Sequence, residues 1–219
     1  TKYEACLKLK LDPNVTYLLN INNNQPRKRY DIFMMGLALY YKNNPDSDLK
    51  VIIFKNDIST RGFDIIDILV RELHKYNCDK RINDIFIEIS NEHNLSDSEI
   101  NLIYNATDFG INTCDGEGFG LCNFEHAYVG KPQIVSNVGG FKDFFNSSNS
   151  IMIEPIARLY LDIKDSIGGK IEIISPEKVY EAIELYYNNP GLRNEHGQKA
   201  KEDLMKRESW DVIVKKLFN

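Results

Sequence analysis

The stretch "VTYLLNINNNQPRKRYDIFMMGLALYYK", residues 15–42, decides the fold class. It opens with a short apolar run rich in β-branched and aromatic residues, VTYLLNI (15–21), and closes with KRYDIFMMGLALYYK (28–42), whose apolar positions recur at helical spacing. That is a strand feeding a helix. Downstream the pattern repeats: LKVIIFK (49–55) leads to DIIDILVRELHKY (64–76), and DIFIEIS (84–90) to SDSEINLIYNA (96–106), where Ser96 and Glu99 form a capping-box signature. DFGINTC (108–114) leads to a helix holding Glu125, and QIVSNV (133–138) to a short helix near FKDFF (141–145). Five such alternations with nearly continuous apolar strands predict an α/β fold: a doubly wound parallel sheet covered on both faces.

The flanks are less regular. Residues 1–14, with Asp12-Pro13-Asn14 before the first strand, read as an entry segment. RLYLDIKDSIGGKIEIIS (158–175) reads as a hairpin turning at Gly168-Gly169, and SPEKVYEAIELYYN (175–188) as a helix with Ser175 as N-cap and Pro176 at its first position. Lys178 stands where a capping box needs an acid or amide. PGLRNEHGQKAKEDLMKRESWDVIVKKLFN supplies two more helices, the last anchored by Trp210.

With 219 residues, 42% hydrophobic and 27% charged, the chain has enough apolar material for one core. A formal charge of -5 gives no general electrostatic reason to bind nucleic acid or an anionic membrane. The four cysteines show neither CxxC spacing nor the density of a disulfide scaffold, which makes a reducing, cytoplasmic compartment the default. Sequons at Asn14, Asn94, Asn105 and Asn146 are read as chance in an Asn-rich chain without a secretion signal. The abundance of Asn, Ile, Lys and Tyr points to A+T-rich coding, as in some large DNA viruses.

Ligands of open parallel sheets bind outside the carboxyl ends of the strands, so the strand-to-helix turns are where chemistry is sought. Two turns are unusual. In NINNNQPRKR, Arg27, Lys28 and Arg29 stand at the start of a helix, where free N–H groups and the positive dipole end favour an anion. In NTCDGEGFGL, glycines 116, 118 and 120 precede a helix and two glutamates, Glu117 and Glu125, bracket its start. Neither turn matches a standard nucleotide fingerprint: the GxGxxG count from Gly116 meets Leu121 at its third place, and VGKP has proline where a P-loop needs a hydroxyl. Eight residues apart along a helix, the glutamates would be separated by ~12 Å. A retaining glycosidase pair lies at roughly 5 Å. A nucleotide sugar fits the longer gap, with one carboxylate on hexose hydroxyls, the other on the ribose diol, and backbone N–H groups on the diphosphate between them.

Other candidates are weaker. Asp46-Ser47-Asp48 spells a metal-binding DxD but lies on a helix-to-strand loop, at the wrong sheet edge. His126 points about 100° away from Glu125 on a helix. The remaining histidines have no ligand-like spacing, and Cys114 and Cys122 read as packing residues.

EGFGLCNFE has the E-x7-E pattern of retaining GT-B glycosyltransferases, and DGEGFGLCNFEHAYVGKPQIVSNVGG resembles the large group-1 family, glycosyltransferase family 4. The similarity extends to PRKRYDI, which resembles that family's phosphate-binding lysine segment, to SDSEINLIYNATDFGINT, and to the C-terminal NNPGLRNEHGQKAKE with its SW. The resemblance implies the Rossmann-like C-terminal half of a GT-B fold. It makes residues 15–219 a nucleotide-sugar donor-binding domain and residues 1–14 the entry from a missing N-terminal acceptor domain, through which the protein could meet the cytoplasmic face of a membrane. By the same resemblance Glu117 and Lys28 are the catalytic candidates. Glu117 lies beside the donor sugar, the backbone of Gly118, Phe119, Gly120 and Leu121 meets sugar and diphosphate, Glu125 takes the ribose hydroxyls, Lys28 neutralises the diphosphate, and the base rests near Ser90 and Asn91. Asn22 stands where the family commonly has a second basic residue; either Arg27 offsets that deficit or the phosphate clamp is weaker.

The implied activity is hexosyl transfer from a GDP- or UDP-sugar to an acceptor hydroxyl, with no cofactor or metal; if the 219 residues are a fragment, they are expected to bind donor and transfer poorly or not at all. The alternatives are a non-catalytic nucleotide-sugar-binding module and a GT-B-like epimerase or phosphorylase.

Overall fold

The computed structural model describes residues 1–55, 62–90, 95–161 and 169–207. The chain opens with helix α1 (Lys2–Leu9), then strand β1 (Tyr17–Asn20), helix α2 (Tyr30–Asn43), β2 (Lys50–Lys55), α3 (Ile65–Lys75), the short α4 (Ile82–Ile85) and β3 (Phe86–Ser90). It continues with α5 (Asp97–Ala106), β4 (Phe109–Asn112), α6 (Leu121–Tyr128), β5 (Gln133–Ser136), α7 (Phe141–Phe144) and β6 (Ser150–Ile153). A hairpin of β7 (Ala157–Leu161) and β8 (Gly169–Ile173) precedes α8 (Pro176–Asn188) and α9 (Pro190–Met205).

Six strands form one parallel sheet in the order β3-β2-β1-β4-β5-β6. This is the doubly wound order, with its topological switch between β1 and β4. Because side chains alternate along a strand, Leu18, Val51 and Ile53 enter the core under α2, α3 and α8, while Tyr17, Leu19 and Ile52 face α1 and α5. Gly36 lets α8 lie close on α2: a Cβ there would stand 2.5 Å from Val179 Cγ1. A third cluster, built on Val138, Phe141, Phe144 and Phe145, seats α6 and α9.

The predicted strands and helices recur with small boundary shifts, and the Ser96–Glu99 capping box is present, as is the Ser175 N-cap with Pro176 behind it. Two features go beyond the expectations, and two expectations fall wholly or partly outside the described residues. The entry segment is largely helical: Thr1 and Glu4 complete a capping box, and α1 buries Ala5 and Cys6 while Lys2 Nζ reaches Asp108 Oδ2 at 2.7 Å. A sixth parallel strand, β6, follows residue 149, beyond the five expected alternations. The hairpin strands pair, with Gly169 opposite Leu161; Gly168, the other residue of the expected turn, lies outside the described residues. Of the two C-terminal helices α9 is described; the second, with Trp210, falls outside the described residues. No helix among the described residues is long and apolar enough to cross a membrane.

Candidate functional site

The loops leaving β1 and β4, on either side of the switch point, are stitched together. Thr113 Oγ1 donates to the carbonyls of Lys28 (3.2 Å) and Arg29 (3.0 Å), and the Asp115 N–H donates to the Arg27 carbonyl at 2.9 Å. The basic triplet does not start a helix as expected. Pro26–Lys28 form a single 3-10 turn, Arg29 takes a left-handed conformation (φ 49°), and α2 begins at Tyr30. The three cations separate accordingly. Arg29 turns to its own neighbour, donating to both oxygens of Asp31 at 2.9 and 2.6 Å. Arg27 and Lys28 converge on Glu117.

Lys28 Nζ donates to Glu117 Oε2, with both side chains at most 9% exposed. Arg27 Nη1 reaches the same oxygen at 3.4 Å and the Gly116 carbonyl at 3.3 Å. The two residues assigned to diphosphate and to sugar therefore touch one another. Behind them the turn is clamped from β5's exit loop, where the Gly140 N–H donates to the Glu117 carbonyl at 2.9 Å. A Cβ on Gly139 would stand 2.1 Å from that carbonyl oxygen, and one on Gly140 2.1 Å from the Gly118 oxygen, so only glycines allow this approach. Gly120, at φ 81°, turns the chain into α6. Gly116 and Gly118 differ: neither has a positive φ, and a Cβ on either would meet nothing within 4 Å. Their missing side chains leave one face of the turn open. Phe119 packs inward on Phe144 and Phe124, while Leu121 lies exposed in the first turn of α6.

Only Leu121–Tyr128 are helical, so Glu117 is off the helix that carries Glu125 and the ~12 Å helical spacing does not describe this pair. Glu125 is exposed; its Oε2 accepts from the Tyr104 hydroxyl at 2.8 Å. Beside it lies a cavity of about 350 Å³ between α5 and α6, lined by Asn101, Tyr104, Phe124, Glu125 and Tyr128 among others.

Beneath α6 runs a buried polar chain. Tyr30 OH and Asn22 Nδ2 donate to Asn20 Oδ1; Asn112 Nδ2 donates to Asn22 Oδ1 (3.0 Å) and Asn123 Oδ1 (2.9 Å); Asn123 Nδ2 donates to Gln133 Oε1 (2.8 Å). The Gln133 amide donates to His126 Nδ1 at 3.0 Å, so Nε2 carries the ring proton and donates to Thr107 Oγ1 at 2.8 Å. Burial, reinforced by nearby Lys131, pushes His126 down to about 3, and the ring is neutral. It stacks on Tyr104, 5.2 Å between centroids. Asn22, expected to face the diphosphate, spends both ends of its amide in this chain.

Sequence reasoning missed Tyr104, Asn112, Asn123, Gln133 and the clamping role of Gly139 and Gly140. The available signal was polar residues inside apolar runs, FGIN and QIVS, and the paired glycines of SNVGG. Asp115, next to the turn, is 7% exposed, and burial raises its carboxyl to about 6 against the opposing pull of Arg29 and Arg27. The Glu172 N–H of β8 donates to its carbonyl at 3.0 Å, seating the hairpin against the turn. Ser90 closes β3 on the ligand edge, in register with Lys55, and Asn91 lies outside the described residues. Asp48, on the amino edge, accepts from Tyr187 OH at 2.8 Å. Cys114 is buried, its thiol pushed up to about 12.

Neither a protein-family model nor a curated protein sequence matches the chain. Solved structures do. Sucrose-phosphate synthase from Thermosynechococcus elongatus superposes with a TM-score of 0.71 at 16% identity, over 98% of this chain and 47% of that one. Anabaena HepE in complex with UDP and glucose gives 0.69 at 15% identity, over 99% and 50%. The C-terminal domain of a glycosyl transferase group 1 family protein (LpcC) from Francisella tularensis gives 0.66 at 16%, over 94% and 92%. The chain thus spans about half the length of the first two and nearly all of an isolated C-terminal domain. The fold is that of the Rossmann-like C-terminal half of GT-B glycosyltransferases.

Proposed function

We propose that this chain is the donor-binding domain of a retaining glycosyltransferase of the group-1 type, family 4, taking a GDP- or UDP-hexose. One observation carries the reading: at the switch point between β1 and β4, two cations and a carboxylate converge on a glycine turn whose Gly116 and Gly118 face open space. The diphosphate would lie over that face, on Lys28, Arg27 and the free N–H groups at the start of α6, with Gly118, Phe119, Gly120 and Leu121 contributing backbone. Glu117 would take hexose hydroxyls. Glu125, at the rim of the cavity, would take the ribose diol, with the base towards Ser90 and Asn91. HepE bound to UDP and glucose shares this fold, which supports the assignment.

As the sugar leaves the nucleotide, charge builds on the β-phosphate, and Lys28 would stabilise it from a buried position where such interactions are strong. Retention requires the acceptor oxygen to arrive on the face from which the nucleotide departs. We assign transfer to a protein in which this domain faces a second half, as in the neighbours twice its length; closure of such a cleft excludes water and aligns the acceptor. The domain by itself is expected to bind donor without transferring it.

Titration calorimetry with UDP-glucose, GDP-mannose, UDP and uridine tests this. Lys28→Ala should weaken UDP by about 30-fold, a charge-assisted phosphate contact, and leave uridine nearly unchanged. Glu125→Ala should weaken both alike. An equal loss for UDP and uridine in the Lys28 variant removes the lysine from the phosphates; no binding of any nucleotide by the native chain removes the function.

A further inference from the structure

Glu117 and the diphosphate are assigned to the same pair of cations. Lys28 Nζ and Arg27 Nη1 both donate to Glu117 Oε2 in the structure, and two anions on one buried ammonium repel each other. We propose that the Glu117 carboxylate is an internal competitor for the phosphate site: a diphosphate displaces it from Lys28 and Arg27, and the displacement is what delivers Glu117 to the sugar. This rests on the donor-binding reading and adds an order of events to it.

The local build favours movement of the carboxylate over movement of the cations. Lys28 is fixed at both ends. Its N–H donates to the Gln25 carbonyl, its own carbonyl takes the Thr113 hydroxyl, and its side chain is buried. The Arg27 carbonyl is held by the Asp115 N–H. The Glu117 backbone is pinned as well, through the Gly140 N–H on its carbonyl. Its side chain is held only through its carboxylate, by Lys28 and Arg27 on Oε2 and by the adjacent Gly118 N–H on Oε1 at 3.2 Å, and the glycines on either side of it leave open space beside the turn. The carboxylate can swing about its own side-chain bonds while the turn stays in place. Ligands without phosphate would then find Glu117 engaged, and only a phosphate-bearing ligand would set it free. Sugar recognition becomes conditional on the diphosphate.

UDP titrated into the native chain, Glu117→Gln and Glu117→Asp distinguishes competition from simple repulsion. Glu117→Asp keeps the charge near the site but withdraws it by one methylene, about 1.5 Å, from Lys28. Competition predicts that UDP binds both variants about tenfold more tightly, with uridine unchanged, and that UDP raises the melting temperature of each variant more than that of the native chain. Tightening in Glu117→Gln alone would show that repulsion, not contact, is responsible, and overturns the proposal. Unchanged or weaker binding in both overturns it too. If neither the native chain nor the variants bind UDP, the donor reading fails first and the exchange falls with it.

Discussion

The ion pairs on the glycine turn and the amide chain under α6 lie within one site and are built on opposite principles. The turn gathers Lys28, Arg27 and Glu117 next to open space above Gly116 and Gly118. Under α6, Asn22, Asn112, Asn123, Gln133 and His126 carry no charge, and each satisfies the next. A buried ion pair gains little over its desolvation cost, and breaking it leaves a charge that another ion can satisfy. A fully satisfied neutral network gains from rigidity and has no use for a ligand. The comparison teaches a division of labour: one region exchanges partners, and the other holds the strand ends and α6 still while it does so.

The largest expected effects separate the glycines of the two kinds. Gly139 sits at φ 48° with a would-be Cβ 2.1 Å from the Glu117 carbonyl oxygen. Gly139→Ala should cost about 3 kcal/mol, combining left-handed strain with a backbone clash, read by urea denaturation. Gly118→Ala, whose Cβ enters open space, should change stability by no more than about 0.5 kcal/mol while weakening UDP by about tenfold. If Gly118→Ala binds UDP like the native chain, the open face is not where the ligand lies and the contrast between the glycines loses its functional half.

A smaller effect comes from protons. His126 is held near 3 against an ordinary 6.5, so below pH 6.5 the unfolded chain takes up a proton that the folded one refuses. Stability from this group is full above 6.5 and falls with pH, by about 2 kcal/mol between pH 7 and 5. Asp115 works the other way. Raised to about 6 from 3.8, it binds a proton in the folded state first, so its contribution grows as pH falls through 6, by about 1.3 kcal/mol over the same interval. These two groups together should therefore cost only about 0.6 kcal/mol between pH 7 and 5, and His196, also lowered by burial, adds a loss of the same sign. Relative to the native chain, Asp115→Asn should deepen the loss between pH 7 and 5 by about 1.3 kcal/mol, and His126→Gln should lessen it by about 2 kcal/mol. A native-like slope in His126→Gln would mean that the ring is not held neutral by its burial.

Much of the fold was legible because long apolar runs such as LKVIIFK can hardly be anything but buried strands. β6 was not, since SIMI is four residues long and follows an Asn/Ser-rich turn that breaks the rhythm. The charged half of the site was legible for a related reason: a lysine on one strand exit and an acid among glycines on another are informative by residue type alone. The neutral half was not, because an Asn or Gln declares its partner only once the strand order is known. Asn22, Asn112 and Gln133 meet only because β1, β4 and β5 are neighbours. The glutamate spacing failed for a local reason, since Gly120 in a left-handed conformation starts α6 after Glu117.

The smallest effect probes the point where the two regions join. Tyr104 is 4% exposed; its ring stacks on His126, at the end of the neutral chain, and its hydroxyl donates to Glu125, at the rim of the cavity. Tyr104→Phe keeps the ring and the stacking and removes one hydrogen bond to a carboxylate, so stability should fall by about 1 kcal/mol. If the rigid chain positions Glu125 for the ribose, uridine and UDP should both weaken by about threefold, because the carboxylate must be ordered again by the ligand. Glu117 is not in this path, so tightening of UDP by Glu117→Asp should persist in the double variant, the two changes adding as independent sites do. Non-additivity would show that the neutral chain transmits what happens at the ion pair, and the division between an exchanging region and a holding one would have to be given up.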